Sequence, residues 1–117
     1  MDSRVENVIT IMHRRLADPL SMEGLSRSVN LSRSRLRQIF VKEIGRSPMN
    51  YLKEIRMRTA ERLLQSTFLS IKEVASRTGA GDVSHFVRDF RKRHRLTPTE
   101  YRVQNRVLTK CAMSGDE

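Results

Sequence analysis

Three observations predict an all-α chain of about seven helices. Apolar residues recur at three- and four-residue spacing and do not alternate, cap residues followed by proline or by an acidic side chain mark repeated helix starts, and the second half of the chain echoes the first.

The first helix has Val5, Val8, Ile9, Met12 and Leu16 on one face and must stop by Asp18, because the residue before Pro19 is pushed out of the helical region. Ser21 starts a short second helix with Leu25 and Val29 facing inward, broken at Asn30-Leu31. The hydroxyl of Ser32 can cap a third helix, running to Ile44, whose apolar side is Leu36, Ile39, Phe40 and Ile44 and whose other side carries Arg33, Ser34, Arg35, Arg37, Gln38 and Lys42. Gly45 suits a left-handed cap, and Ser47-Pro48 opens a long fourth helix to about Gln65, with Leu52, Ile55, Leu63 and Leu64 as its apolar stripe. Ser70-Ile71-Lys72-Glu73 has capping-box spacing and starts a fifth helix that buries Val74 and Ala75 and ends at Gly79. Asp82 caps a sixth, in which Phe86 and Phe90 face inward; Thr97-Pro98-Thr99-Glu100 opens a seventh through Tyr101. Residues after Arg106 are expected to fray.

Laid side by side, the halves repeat. Ser21, Leu25 and Ser26 match Ser70, Val74 and Ala75 at an offset of 49, and Leu36, Phe40, Pro48 and Tyr51 match Phe86, Phe90, Pro98 and Tyr101 at 50, so the single extra residue falls in the turn between paired helices. Each half reads as a short helix, a tight turn, a second helix and a proline-started helix behind it, which is a helix-turn-helix unit built twice. The fold class is therefore all-α, two helix-turn-helix subdomains (1–47 and 67–106) joined by a long linker helix (48–66), with a disordered tail (107–117).

Charge narrows the function. Lys and Arg number 23 against 13 Asp and Glu, a formal net charge of +10, and residues 32–62 alone hold nine basic and three acidic side chains. Such an excess calls for a polyanionic partner. No apolar run is long enough to span a bilayer, no signal peptide is recognisable, and a single cysteine, Cys111, supplies neither an internal disulfide nor a zinc site, so a cytosolic protein is expected. A chain of this size buries only about 65% of its unfolded surface, which favours binding over catalysis in a deep cavity. The second helix of a helix-turn-helix is narrow enough to enter a major groove about 12 Å wide, and a linker helix of about 27 Å approaches the roughly 34 Å between successive grooves on one side of a duplex, so one chain could read two as a monomer.

The residues also resemble a known family. Arg56-x3-Ala60-x2-Leu63-Leu64-x2-Thr67, Ser70-Ile71-x-Glu73-Val74-Ala75, Gly79, Ser84-His85-Phe86-x3-Phe90-Arg91-Lys92 and Thr97-Pro98-x2-Tyr101-Arg102 are similar to the DNA-binding domain of AraC/XylS-type bacterial transcription regulators, over about residues 5–102. The resemblance implies a sequence-specific binder of double-stranded DNA, usually an activator that contacts RNA polymerase, at work on the bacterial nucleoid without a cofactor. Carried over by position, base contacts fall on Ser34, Arg37 and Gln38 with Arg33 beside them, and on Val83, Ser84, Val87 and Arg88 in the second unit. Arg37 can take guanine O6 and N7 and Gln38 adenine N6 and N7, while the two valines can only pack on thymine methyls, so the second unit should read less sharply. Phosphate contacts are expected from Arg35, Lys42, Arg46, Arg91 and Arg93. Gln38 stands where the family often has arginine, Ala80 replaces an aromatic after the turn glycine, and Arg95 occupies a glycine cap position.

Other features read as structural. Arg56 can touch phosphate or pair with Glu54, Glu61 or a carboxylate of a facing helix; His85 can contact the DNA backbone; His85 and His94 lack the partners of a metal site. The leading alternative is a nonspecific architectural protein of nucleic acids that uses only its positive field. A cationic membrane-surface protein and an enzyme follow, the latter without a nucleophile, phosphate loop or ligand cluster. Length leaves open a stand-alone regulator or part of a longer one.

Overall fold

A computed structural model describes residues 1–105; the expected frayed end, the tail and Cys111 lie outside them. Seven helices follow in order: α1 Ser3–Arg14, α2 Met22–Ser28, α3 Arg33–Ile44, α4 Pro48–Ser66, α5 Ile71–Arg77, α6 Val83–His94 and α7 Pro98–Asn105, with no strand among the described residues. They form two compact units, Met1–Arg56 and a second that begins at Met57. Leu52 and Ile55 of α4 belong to the core of the first, Ala60 and Leu64 to that of the second.

In the first unit, Val5, Val8 and Met12 of α1 pack with Leu25 of α2 and Leu36, Ile39 and Phe40 of α3. The α2–α3 turn follows from backbone chemistry. Asn30 is left-handed (φ 56°), which lets the Asn30 amide donate to the Arg27 carbonyl at 3.1 Å and the Leu31 amide to that of Ser26 at 2.9 Å. This pair of bonds satisfies the last carbonyls of α2 and throws the chain sideways into α3, whose first turn is capped by Ser32 Oγ accepting from the Arg35 amide at 3.1 Å. Gly45 (φ 87°) ends α3, and Pro48, fully buried, opens α4. Tyr51 then meets Phe40 edge-on, ring centroids 5.5 Å apart.

The second unit repeats these steps. Gly79 (φ 74°) takes the place of Asn30, and the Gly79 and Ala80 amides donate to the Ser76 and Ala75 carbonyls at 3.3 and 3.0 Å. The turn then needs one more residue, Gly81, before Asp82 caps α6 through the Ser84 amide. Thr97 and Glu100 cap each other at α7, and Tyr101 meets Phe90 edge-on at 5.1 Å. Phe40–Tyr51 and Phe90–Tyr101 are the same contact fifty residues apart.

Several details depart from expectation. In α4, Ala60 is fully buried and Leu63 only partly so, because the small residue lets the helix sit close to the Phe86 and Phe90 cluster. Val29 is the cap after α2 and is half-buried. Arg56 pairs with no carboxylate: its Nε donates to the Leu16 carbonyl at 3.1 Å and Nη2 to that of Asp18 at 2.8 Å. It ties α4 to the chain that leaves α1, whose carbonyls have no helical partner there. Burial pulls the Arg56 guanidinium below its ordinary pKa, though it stays charged at neutral pH. In the second unit, Glu61 Oε2 accepts from Arg93 Nε at 3.1 Å and sits 2.8 Å from His94 Nε2, fastening α6 to α4, while His94 stacks on Phe90.

Two stability outcomes follow. Arg56→Ala removes two charge-assisted bonds and should lower unfolding free energy by about 2–4 kcal/mol in denaturant titration, and Arg56→Lys should not restore it, since one ammonium cannot reach both carbonyls with the fork geometry; full recovery by lysine would contradict this. Arg95 is left-handed (φ 60°) at the position of Gly45. The αL cost of roughly 1–2 kcal/mol, less the unfolded-state entropy glycine adds, should make Arg95→Gly stabilising by about 0.5–1 kcal/mol in the same titration.

Candidate nucleic-acid interface

The core contacts of α3 are made by Leu36, Ile39 and Phe40, so the helical period leaves Arg33, Ser34, Arg35, Arg37, Gln38 and Lys42 exposed on the remaining surface. Beside that face lies an open groove of about 530 Å³, with Arg33, Ser34 and Arg37 on one wall and, on the other, Ser47, just before α4, and Asn50 in its first turn. The sequence marks Ser47 only as a helix start and gives no sign of Asn50; it takes the packing of α4 behind α3 to bring them beside the arginines. Ser47 Oγ accepts from the Asn50 amide at 3.3 Å, a bond that closes the first turn.

On α6, Phe86 and Phe90 are buried, and Ser84, Arg88 and Arg91 are exposed. Val83 and Val87 are half-buried and lean on the core of the unit, which leaves them less surface for a groove. The base-reading set thus divides into six exposed side chains, Arg33, Ser34, Arg37, Gln38, Ser84 and Arg88, and two valines shared with the core.

The phosphate-contact set divides as well. Lys42 is exposed at the last turn of α3. Arg46 lies 3.6 Å from Glu54, and Arg93 is held by Glu61, so both meet a carboxylate before they meet any ligand. Arg91 is exposed and near enough to Glu100 to help hold that carboxyl below its usual range, though the Thr97 backbone and side chain contribute more. Arg35 Nη1 donates to Gln38 Oε1 at 3.5 Å, and Arg88 Nη2 lies 3.1 Å from His85 Nδ1 and 3.2 Å from Nε2. Chemically the two faces can form charge-assisted hydrogen bonds to phosphate and planar, two-pronged bonds to base edges. Among the described residues, no group of three His, Cys, Asp or Glu could hold a metal ion, and no helix is long and apolar enough to cross a membrane.

Comparison with known proteins agrees with this geometry. A family model described as a helix-turn-helix domain matches residues 25–104. The chain is 31% identical over 99 residues to the HTH-type transcriptional regulator GbdR of Pseudomonas aeruginosa, covering 85% of this chain and 27% of that protein. It is 31% identical over 98 residues to the lactose operon transcription activator of Staphylococcus xylosus, covering 84% and 35%. The chain therefore spans about a third or less of the curated relatives it matches. Among solved structures, the C-terminal domain of AraT, a response regulator from Geobacillus stearothermophilus, superposes with a TM-score of 0.84 at 28% identity over 91% of this chain and 88% of that one. The DNA-binding domain of AdpA, solved in complex with a target DNA, does so with a TM-score of 0.81 at 26% identity over 86% and 91%. With two units of the same construction, a family model over most of its length and relatives of this kind, the chain belongs to the AraC-type helix-turn-helix family of DNA-binding domains.

Proposed function

We propose that the chain binds double-stranded DNA sequence-specifically and regulates transcription, probing one major groove with α3 and an adjacent one with α6 as a monomer. One observation carries this reading: a buried apolar side and an exposed basic or polar side occur on the second helix of both units, at matching positions. The division into a first helix-turn-helix subdomain (1–47), a linker helix (48–66) and a second subdomain (67–106) is part of this proposal, supported by residues of α4 in both cores. Activation through contact with RNA polymerase, residence in the bacterial cytoplasm and the absence of enzymatic chemistry belong to the same proposal, supported by relatives that are transcription regulators.

Within the site, Arg37 and Gln38 are assigned to bases and Arg33 and Ser34 to the edge of the same groove. Lys42 and Arg91 are assigned to phosphate, along with Arg35. Arg46 and Arg93 reach phosphate only by leaving Glu54 and Glu61, so their share is smaller. In the second unit, the half-buried valines leave Arg88 and Ser84 as the polar readers. Fewer polar readers make this unit the less sharp of the two, and competitor DNA at moderate salt separates sequence-specific binding by the chain from a nonspecific, architectural role, because phosphate-only affinity falls steeply with ionic strength.

The test is a footprint and a mutant pair on a duplex selected from a random pool. Protection should cover two adjacent grooves. Arg37→Ala should relax preference at one base pair and cost about 1–3 kcal/mol on the selected site, whereas Lys42→Ala should weaken all sequences alike and reduce the salt slope by about one. Identical behaviour of the two mutants would overturn the division of roles.

A further inference from the structure

The repeat reaches the outer faces of the reading helices. Arg35 and Gln38 on α3 and His85 and Arg88 on α6 are each three residues apart, and the pairs are related by the same offset of 50 that relates the core residues. Both pairs are joined. Arg35 donates to Gln38 at 3.5 Å, the long end of the hydrogen-bond range, and in α6 the guanidinium of Arg88 approaches both imidazole nitrogens of His85 at 3.1 and 3.2 Å. The arginine and its planar partner exchange places between units, yet the couple is conserved in position. All four side chains are exposed, so the contacts do not follow from core packing.

We infer that His85 is a positioning residue for DNA recognition: it holds the guanidinium of Arg88 in place before the groove is met, so that base preference in the second unit belongs to the pair. The inference rests on the proposed reading of DNA by α6. Nη2 is almost equally far from both ring nitrogens, which flank Cε1, so the guanidinium rests over the imidazole ring and is held by stacking on that planar group. An arginine held by its face retains its N–H groups for a base edge, and it enters the groove with part of its rotamer freedom already spent. This matters most in the second unit, where Val83 and Val87 are committed to the core and Arg88 has few polar companions. Arg35 stands in the corresponding place beside Gln38, with Nη1 3.5 Å from Oε1.

The experiment selects binding sites from a random duplex pool with the wild-type chain, Arg88→Ala, His85→Ala, His85→Gln and the double variant His85→Ala/Arg88→Ala, each checked for folding by circular dichroism. Arg88→Ala should flatten preference at one base pair of the second half-site. His85→Ala should weaken preference at that same base pair by about three- to fivefold, the scale of freezing one long side chain. The double variant should be no worse than Arg88→Ala alone, because both act through one guanidinium. His85→Gln keeps a planar group for the guanidinium to rest on and should recover most of the loss. If Arg88→Ala flattens the base pair and His85→Ala leaves it sharp, or if glutamine fails to rescue, the positioning role is overturned while reading by α6 stands. If Arg88→Ala itself changes nothing in the second half-site, reading by α6 is what fails.

Discussion

Each unit depends on one edge-to-face aromatic contact, Phe40 with Tyr51 and Phe90 with Tyr101. The phenylalanine is on the reading helix and the tyrosine on the helix that starts at a buried proline behind it. Once that ring is pinned, the rotation of the reading helix about its own axis is set: one side must face the core, and the opposite side must face solvent. The basic surface is thus a consequence of core packing. Burial of a large aromatic ring stabilises by several times what any exposed arginine can contribute, so the outer residues can vary with a target sequence while the core keeps the helix in orientation.

The two units make the same fold with unequal means. Where the first has Gly45 and Ile44, the second has Arg95 in a left-handed conformation and His94 stacked on Phe90 and fastened to Glu61. Where the first has Leu31 after its turn, the second has Ala80, with less surface to pack. The second unit therefore relies more on polar ties, Glu61 with Arg93 and His94, Gln65 Nε2 donating to the Tyr101 hydroxyl at 2.7 Å, and Arg102 Nε donating to the Leu64 carbonyl at 3.2 Å. A polar tie demands geometry where an apolar contact demands only volume, which makes this unit the more sensitive to single substitutions.

Much of this was legible in the sequence. Cap residues placed six helix starts, at Ser21, Ser32, Ser47, Ser70, Asp82 and Thr97, because a helix N-terminus is decided by local hydrogen bonds. The internal repeat located both turns and the inward phenylalanines. The left-handed state of Arg95 was readable as a departure from a glycine position. What escaped were long-range partners of polar side chains. Nothing local says that Arg56 will find the Leu16 and Asp18 carbonyls some forty residues back, or that Glu61 will collect Arg93 and His94. In α4 the spacing could not separate Ala60 from Leu63 as the residue facing the second core, since both fit a helical stripe and only the close approach of α6 favours the smaller.

Recognition of two adjacent grooves requires both reading helices to present their outer faces to the same duplex. The most direct measurement is a titration of the isotopically labelled chain with a pool-selected duplex, followed by backbone amide resonances. At one chain per duplex, the largest changes should fall on residues 33–38 and 83–88 together. Changes confined to one of these stretches, or centred on α1 and α7, would contradict this.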